Sequence, residues 1–320
     1  MDYLHDFDTE LAKVFATCQT RIDSYPAKFQ PDARRRLDKL NILKQDYNGN
    51  CLSQLLPFWL QPVFVISPDI CREICGGNIF GFLYFLIQDA VMDTIPGEYK
   101  ADLLPLGNLF FLDFMEKYRH LFPTDPVFWS YFRKYFEEWA ESVAAERQGY
   151  WDRQTEHGRA NLEHLARKAA PLKITIAAIC LLKDHEEFIA PLAQAVDTTV
   201  ITFQLLDDWN DWREDLAIGN CSYFLAQVMQ VCGVVRIQEL DEAHIQKAVY
   251  GFDLLNEIFA IAETNLTLVT ETKPQTAYLI QYHQSLNRTF QSVLQAVQEG
   301  KNAVIQGGFF NFLYQQKKIY

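Results

Sequence analysis

Residues 201–215 begin apolar and turn acidic with no helix breaker: Ile-Thr-Phe-Gln-Leu-Leu-Asp-Asp-Trp-Asn-Asp-Trp-Arg-Glu-Asp. At about 3.6 residues per turn, Asp207, Asp211 and Asp215 fall at i, i+4 and i+8 on one helix face, with Gln204 one turn earlier on the same side. Like charges at that spacing repel by a few tenths of a kcal/mol when solvated, and by more when partly buried. A row of three beside Phe203, Leu205 and Leu206 asks for a cation. Oxygen-only ligands select a hard one, Mg²⁺ in preference to Zn²⁺.

A second acidic pair points the same way. Residues 79–92 run Ile-Phe-Gly-Phe-Leu-Tyr-Phe-Leu-Ile-Gln-Asp-Ala-Val-Met, and Asp93 follows. Asp89 and Asp93 are again at i, i+4, on a segment that is otherwise almost wholly apolar. A helix apolar nearly all round belongs inside a large core, where charges are seldom found unless paired or metal-bound. Two helices that each end an apolar run with carboxylates one turn apart suggest a metal cluster at the mouth of an apolar cavity. Mg²⁺ shares its shell between a few carboxylates and a substrate phosphate. The implied substrate has an anionic head and a hydrocarbon tail.

The elements that must position these groups read as helices throughout. Amphipathic periodicity predicts helices over 2–22 and 31–46, with Pro26 and Pro31 in the linker. Residues 51–66, interrupted by Pro57 and Pro62, predict a short helix plus a loop. Ser67-Pro68-Asp69 is a helix start, and a Gly76-Gly77 break precedes the long apolar helix over 78–95, ended by Pro96-Gly97. Helices follow over 101–121 and 126–150, rich in aromatic residues that could face a carbocation or simply fill the core. A helical stretch over 159–183 is broken by Pro171. The acidic row lies on a helix over 184–216 capped by Gly219-Asn220, and helices over 221–232, 240–264, 273–299 and 303–317 complete the chain. No stretch gives period-2 alternation with hairpin turns. The expectation is an all-α protein of one domain.

With 320 residues and 49% hydrophobic content, the chain can bury a large core. A formal net charge of −12 argues against a nucleic-acid partner; the densest basic run, Arg34–Arg36, reads as a solvated helix face. Seven cysteines, an odd number with no signal peptide ahead of them, fit reduced thiols in a cytoplasmic protein. Cys71 and Cys75 are one turn apart with no further Cys or His pair nearby, which disfavours a metal role. The apolar run at 79–92 is too short to span a bilayer, so no stable membrane insertion is expected.

With both acidic helices in view, the chain resembles the class I isoprenoid synthase superfamily, the trans-isoprenyl diphosphate synthases and class I terpene cyclases. Phe203-Gln-Leu-Leu-Asp-Asp-Trp-Asn-Asp211 is similar to the prenyltransferase second motif, Phe-Gln-x-x-Asp-Asp-x-x-Asp. Asp207, Asp211 and Asp215 also match the three ligand positions of the cyclase counterpart. Ile87-Gln-Asp-Ala-Val-Met-Asp93 resembles the first motif, Asp-Asp-x-x-Asp, with Ala90 in the second place. The likeness covers about 60–300 and is weak before that. It implies a bundle of antiparallel helices around a central cavity, with the two motifs binding three Mg²⁺ ions and the substrate diphosphate. Tyr84 and Phe85, one turn before Asp89, would then set cavity depth, with Phe203 and Gln204 also lining the pocket.

Two departures shape the expected activity. Chain-elongating members carry an Arg-Arg pair after the first motif and a Gly-Lys-x-x-Arg segment for isopentenyl diphosphate; neither is present here. Gripping two diphosphates takes two cationic sites, and this sequence offers one. The resemblance therefore implies a terpene synthase that ionises one linear isoprenyl diphosphate, with a prenyltransferase or a non-catalytic binding subunit as alternatives. Diphosphate clamps are sought among Arg167, Lys168 and Lys173. Lys173 with Thr175 is similar to a Lys-Thr pair of the prenyltransferases, although Ile174 intervenes; Arg167 and Lys168 fit the spacing to the second motif better. The family's habit implies a homodimer.

Overall fold

The computed structural model describes residues 2–44, 50–92, 101–147 and 159–316. Among them the α-helices in chain order are α1 Asp8–Asp23, α2 Gln30–Leu40, α3 Leu52–Phe64, α4 Pro68–Met92, α5 Leu104–Leu121, α6 Pro126–Arg147 and α7 Arg159–Arg167, then α8 Lys173–Leu181, α9 Ile189–Ile218, α10 Tyr223–Cys232, α11 Glu242–Gln246, α12 Leu254–Glu271 and α13 Ala277–Gln316. No strand occurs among the described residues, so the all-α expectation holds. Two compact units are distinguished: Met1–Phe136 with Ala170–Ala193 and Lys273–Leu279, and Glu137–Ala169 with Gln194–Thr272 and Ile280–Tyr320.

In the first unit α4 is packed by α1, α3 and α5. Its residues from Cys71 to Ile87 are mostly buried, which is why the sequence is apolar on every side. The expected break at Gly76-Gly77 does not exist: both glycines lie inside α4. Gly77 and, one turn on, Gly81 allow close packing, whereas a Cβ on Gly76 would have ordinary clearance, 3.7 Å from the Lys117 chain. A Cβ on Gly77 would meet the Tyr118 ring at 3.0 Å, and one on Gly81 would meet the Phe114 ring at 3.0 Å, so α5 approaches α4 over a glycine face.

The prolines of 51–66 do not end the helix either. Pro57 and Pro62 both sit inside α3, which is buried from Leu52 to Leu60. Proline at 57 leaves the Ser53 carbonyl without its helical donor; Asn78 Nδ2 supplies one at 2.8 Å. Asn78 also donates to Thr175 Oγ1 at 2.9 Å and accepts from the Tyr118 hydroxyl at 2.7 Å. One buried amide thus ties α3, α4, α5 and α8 together.

Other boundaries moved for local reasons. The segment expected as one helix over 240–264 is α11, a π-helical turn Lys247–Gly251 and then α12, separated at Asp253 with φ 57°. The two expected C-terminal helices are one, α13, since Gly300 is tolerated within it. A 3₁₀ turn Glu186–Phe188 precedes α9, which starts later than expected. Gly219 does cap α9: at φ 72° it lets the Asn220 N–H reach the Asp215 carbonyl at 2.9 Å. Pro96-Gly97 lie outside the described residues.

In the second unit the core centre is polar. His283 of α13 is fully buried, its Nδ1 3.2 Å from Thr199 Oγ1 and its Nε2 3.2 Å from Thr202 Oγ1. Asn265 of α12 donates to Thr202 Oγ1 at 3.0 Å. Burial lowers the His283 pKa to about 4, so the ring is neutral.

Cys71 and Cys75 are buried free thiols; burial pushes Cys71 up to about 12 and Cys75 well above its ordinary value, which makes them core residues. Arg34 pairs with Asp23, and Arg35 and Arg36 with Asp32; Arg34 and Arg35 are exposed as expected, whereas Arg36 and Asp32 are partly buried. The length argument against membrane insertion fails: α4 and residues 186–218 are long and apolar enough to span. Two thirds (67%) of each apolar window is instead buried within the fold.

Candidate active site

The acidic row forms as the spacing predicts, on the uninterrupted helix α9. Asp207 and Asp215 are half-buried and Asp211 is exposed. Burial, then repulsion from Asp211, raises the Asp207 pKa; Gln204 and, more weakly, Lys168 act against the rise. Asp211 is raised as well. The residue as a whole is exposed, yet desolvation of its carboxyl group counts first, followed by Glu214 and Asp215. The three carboxylates span two helical turns, about 12 Å of rise, too far to close on one ion. In keeping with this, no group of three or more His, Cys, Asp or Glu among the described residues is arranged as a ready-made metal cage.

The donor set still fits Mg²⁺. Mg²⁺ takes one or two carboxylates and completes its shell with water and phosphate oxygens. A row in which burial and then neighbouring carboxylates raise the pKa of Asp207 and Asp211 is stabilised by a hard cation. Asp215 is the least available member, because Asn220 Nδ2 donates to its Oδ1 at 2.7 Å.

Gln204 belongs to this row. Its Nε2 lies 3.3 Å from Asp207 Oδ2 and 3.1 Å from Asp208 Oδ1, so it braces carboxylates and is half-buried, as is Phe203. Asp208 is the residue that sequence reasoning passed over. Next to Asp207 it points about 100° round the helix, away from the acidic row, and is 5% exposed. Its Oδ2 accepts the Phe224 N–H at 3.2 Å. Burial pushes its pKa up to about 7, against the pull of Gln204 and the Phe224 amide.

Of the basic candidates, Arg167 and Lys168 are exposed at and just beyond the C-terminal end of α7. Both depress the buried His164, whose pKa falls to about 4 through burial first and then these two charges. Lys168 also acts on Asp207, which places an exposed cation in the field of the row. Lys173 differs: it is 5% exposed on the first turn of α8, with Nζ 5.1 Å from the Tyr135 ring centroid. Thr175 is fully buried against Asn78.

Asp89, in the first unit, is half-buried near the end of α4. Asp93 lies outside the described residues. One turn before Asp89, Tyr84 and Phe85 enter an aromatic cluster. Tyr84 is 5.0 Å from Phe111 and 6.3 Å from Phe136 between ring centroids, and Phe85 is 5.5 Å from Phe136 and 6.4 Å from Phe114.

No family model matches the sequence, and no curated protein matches it. Among solved structures the chain is similar to a geranylgeranyl pyrophosphate synthase, with a TM-score of 0.59 and 14% identity over 88% of this chain and 98% of that one. The chain has the all-α isoprenoid synthase fold. At this identity the likeness is one of fold, and the chemistry rests on the residues just described.

Proposed function

We propose that the chain is a class I terpene synthase, which ionises a linear isoprenyl diphosphate, guides the allylic cation to a cyclised or rearranged product and releases diphosphate. The observation that carries this reading is the carboxylate row on α9, two of its three members half-buried and Lys168 in the field of Asp207, in a chain of isoprenoid synthase fold. Asp207, Asp211 and Asp215, with Asp89 and Asp93, are the proposed ligands of Mg²⁺. When bound, Mg²⁺ supplies Lewis-acid stabilisation of charge on the departing diphosphate. Lys168 and Arg167 attract the anionic head. Tyr84, Phe85, Phe111 and Phe136 offer ring faces and an apolar wall, which keep water from a cation. Asp89→Ala and Asp211→Ala are expected to abolish Mg²⁺-dependent diphosphate release; unchanged turnover in both rejects the assignment.

Two other readings have their own support. The fold neighbour is a geranylgeranyl pyrophosphate synthase, which favours a prenyltransferase. Incubating an allylic diphosphate with and without isopentenyl diphosphate separates the two: a longer diphosphate marks the transferase, a hydrocarbon or alcohol the cyclase. Ala90, where the family's first motif has its second Asp, favours a non-catalytic binding or regulatory subunit. Such a protein is stabilised by Mg²⁺ with diphosphate and turns nothing over. The reading further takes the two units as one catalytic domain and the protein as a cytoplasmic homodimer without nucleic-acid or membrane partners; light scattering tests the dimer.

A further inference from the structure

The acidic segment of α9 meets the start of α10 through Asp208 and through Trp209, whose ring centroid lies 5.5 Å from that of Phe224. Asp208 is buried, and each of its oxygens is engaged: Oδ2 by the Phe224 N–H at 3.2 Å, Oδ1 by Gln204 Nε2 at 3.1 Å. Ser222 stands at the N-cap position of α10 but makes no side-chain capping bond, so the amide at the second helical position is satisfied from another helix. Gln204, held by Asp208, also reaches Asp207 at 3.3 Å. A continuous chain of contacts therefore runs from the first turn of α10 through Asp208 and Gln204 to Asp207.

We propose that Asp208 is a positioning residue: it caps α10 from α9 and, through Gln204, fixes the orientation of the Asp207 carboxylate. It is assigned no place among the metal ligands, because it points away from the Asp207–Asp211–Asp215 face and both its oxygens are occupied. The capping half of this proposal stands on geometry alone; the consequence for metal binding rests on the proposed function. Partners behind a metal ligand tune affinity by holding it in one rotamer.

The test compares Asp208→Ala and Asp208→Asn with the wild-type chain. Asparagine keeps an acceptor for Phe224, but its Nδ2 then faces Gln204 Nε2, so Gln204 must turn its amide and withdraw the donor it gives Asp207. Two readouts are needed. Hydrogen exchange over 221–232 reads the cap without any ligand. Thermal stabilisation by Mg²⁺ with inorganic diphosphate reads the carboxylate row. Asp208→Ala is expected to lose protection at the Phe224 amide by about tenfold and to raise the Mg²⁺ needed for half-stabilisation by about tenfold or more. Asp208→Asn is expected to keep the Phe224 amide protected while raising the Mg²⁺ requirement as the alanine variant does. Unchanged exchange in the alanine variant overturns the capping role. An asparagine variant that protects Phe224 and keeps the wild-type Mg²⁺ response overturns the positioning role, because the Gln204 link to Asp207 is then not required. If the wild-type chain shows no stabilisation, the proposed function has failed, and exchange at Phe224 still upholds or overturns the cap.

Discussion

Asn78 Nδ2 lies 2.8 Å from the Ser53 carbonyl oxygen, where α3 would have placed the amide that Pro57 lacks. A proline inside a buried helix orphans an acceptor, and the orphan is met by a side chain one helix away. Asn78→Leu would strand Ser53 and leave Tyr118 and Thr175 short of a partner. A loss of about 2–4 kcal/mol is expected, since each buried orphan costs about 1–3 kcal/mol and some relax. Pro57→Ala returns an amide to α3, so Asn78→Leu should cost about 1 kcal/mol less in that background. Urea unfolding of the four chains measures this coupling; strict additivity would refute it.

Gly81 tests the close approach of α4 and α5. A methyl group there would stand 3.0 Å from two carbons of the Phe114 ring, and Phe114 is nearly fully buried among other rings. Gly81→Ala has a helix-propensity gain of about 1 kcal/mol in its favour. Overpacking of about 1–3 kcal/mol opposes it. A net fall in the urea midpoint is expected, whereas Gly251→Ala, whose nearest neighbour is the flexible Lys247 chain at 3.9 Å, meets no such contact.

What could be read from the sequence, and what could not, divides along the range of the interactions. The helical class and the acidic face of α9 depend on spacing within a few residues, and both formed as expected. Gly76, Gly77 and Pro57 were misread because local preference marks them as breakers. Their neighbours, Tyr118 for Gly77 and Asn78 in place of the Pro57 amide, come from elsewhere in the chain. Asp208 shares its motif with Asp207, and only tertiary structure shows that adjacent carboxylates face different surroundings. Lys173 resembled a clamp by its type and place, yet burial under Tyr135 gives it a structural setting.

That setting distinguishes Lys168 from Lys173. Lys168 is exposed and acts on Asp207, so Lys168→Ala should leave the unfolding midpoint within about 0.5 kcal/mol of wild type. It should weaken binding of inorganic diphosphate with Mg²⁺ in calorimetry. Lys173→Ala removes a buried chain packed on an aromatic ring, and a stability loss of about 2 kcal/mol is expected. If Lys168→Ala binds diphosphate as well as wild type, the clamp lies elsewhere.

The aromatic cluster predicts a change in ligand size. Tyr84 is half-buried against Phe111 and Phe136, so Tyr84→Ala opens space while leaving Phe85 and Phe114 in place. The expected outcome is a preference shifted toward longer allylic diphosphates, at a stability loss of about 3 kcal/mol. Competition between substrates of increasing chain length checks it. An unchanged order of preference would separate this cluster from the substrate tail.

His283 sets an acid limit on stability that has nothing to do with turnover. Its ring is fully buried and its folded pKa is about 4, against 6.5 for the free side chain, because burial disfavours the charged form. As pH falls through 6.5 the unfolded chain takes up the proton first, and the folded chain does so only near pH 4. Between those values the unfolded state holds more protons, so stability falls on acidification and is fully present above pH 6.5. The full shift corresponds to about 3 kcal/mol. His283→Leu removes the titrating group, while Thr199 and Thr202 keep their bonds to the Ala195 and Thr198 carbonyls. His164, also held near 4, remains in both chains. Urea midpoints between pH 4.5 and 7.5 should therefore slope less steeply in the leucine variant, and parallel slopes would show that the His283 ring is not the neutral core group its partners indicate.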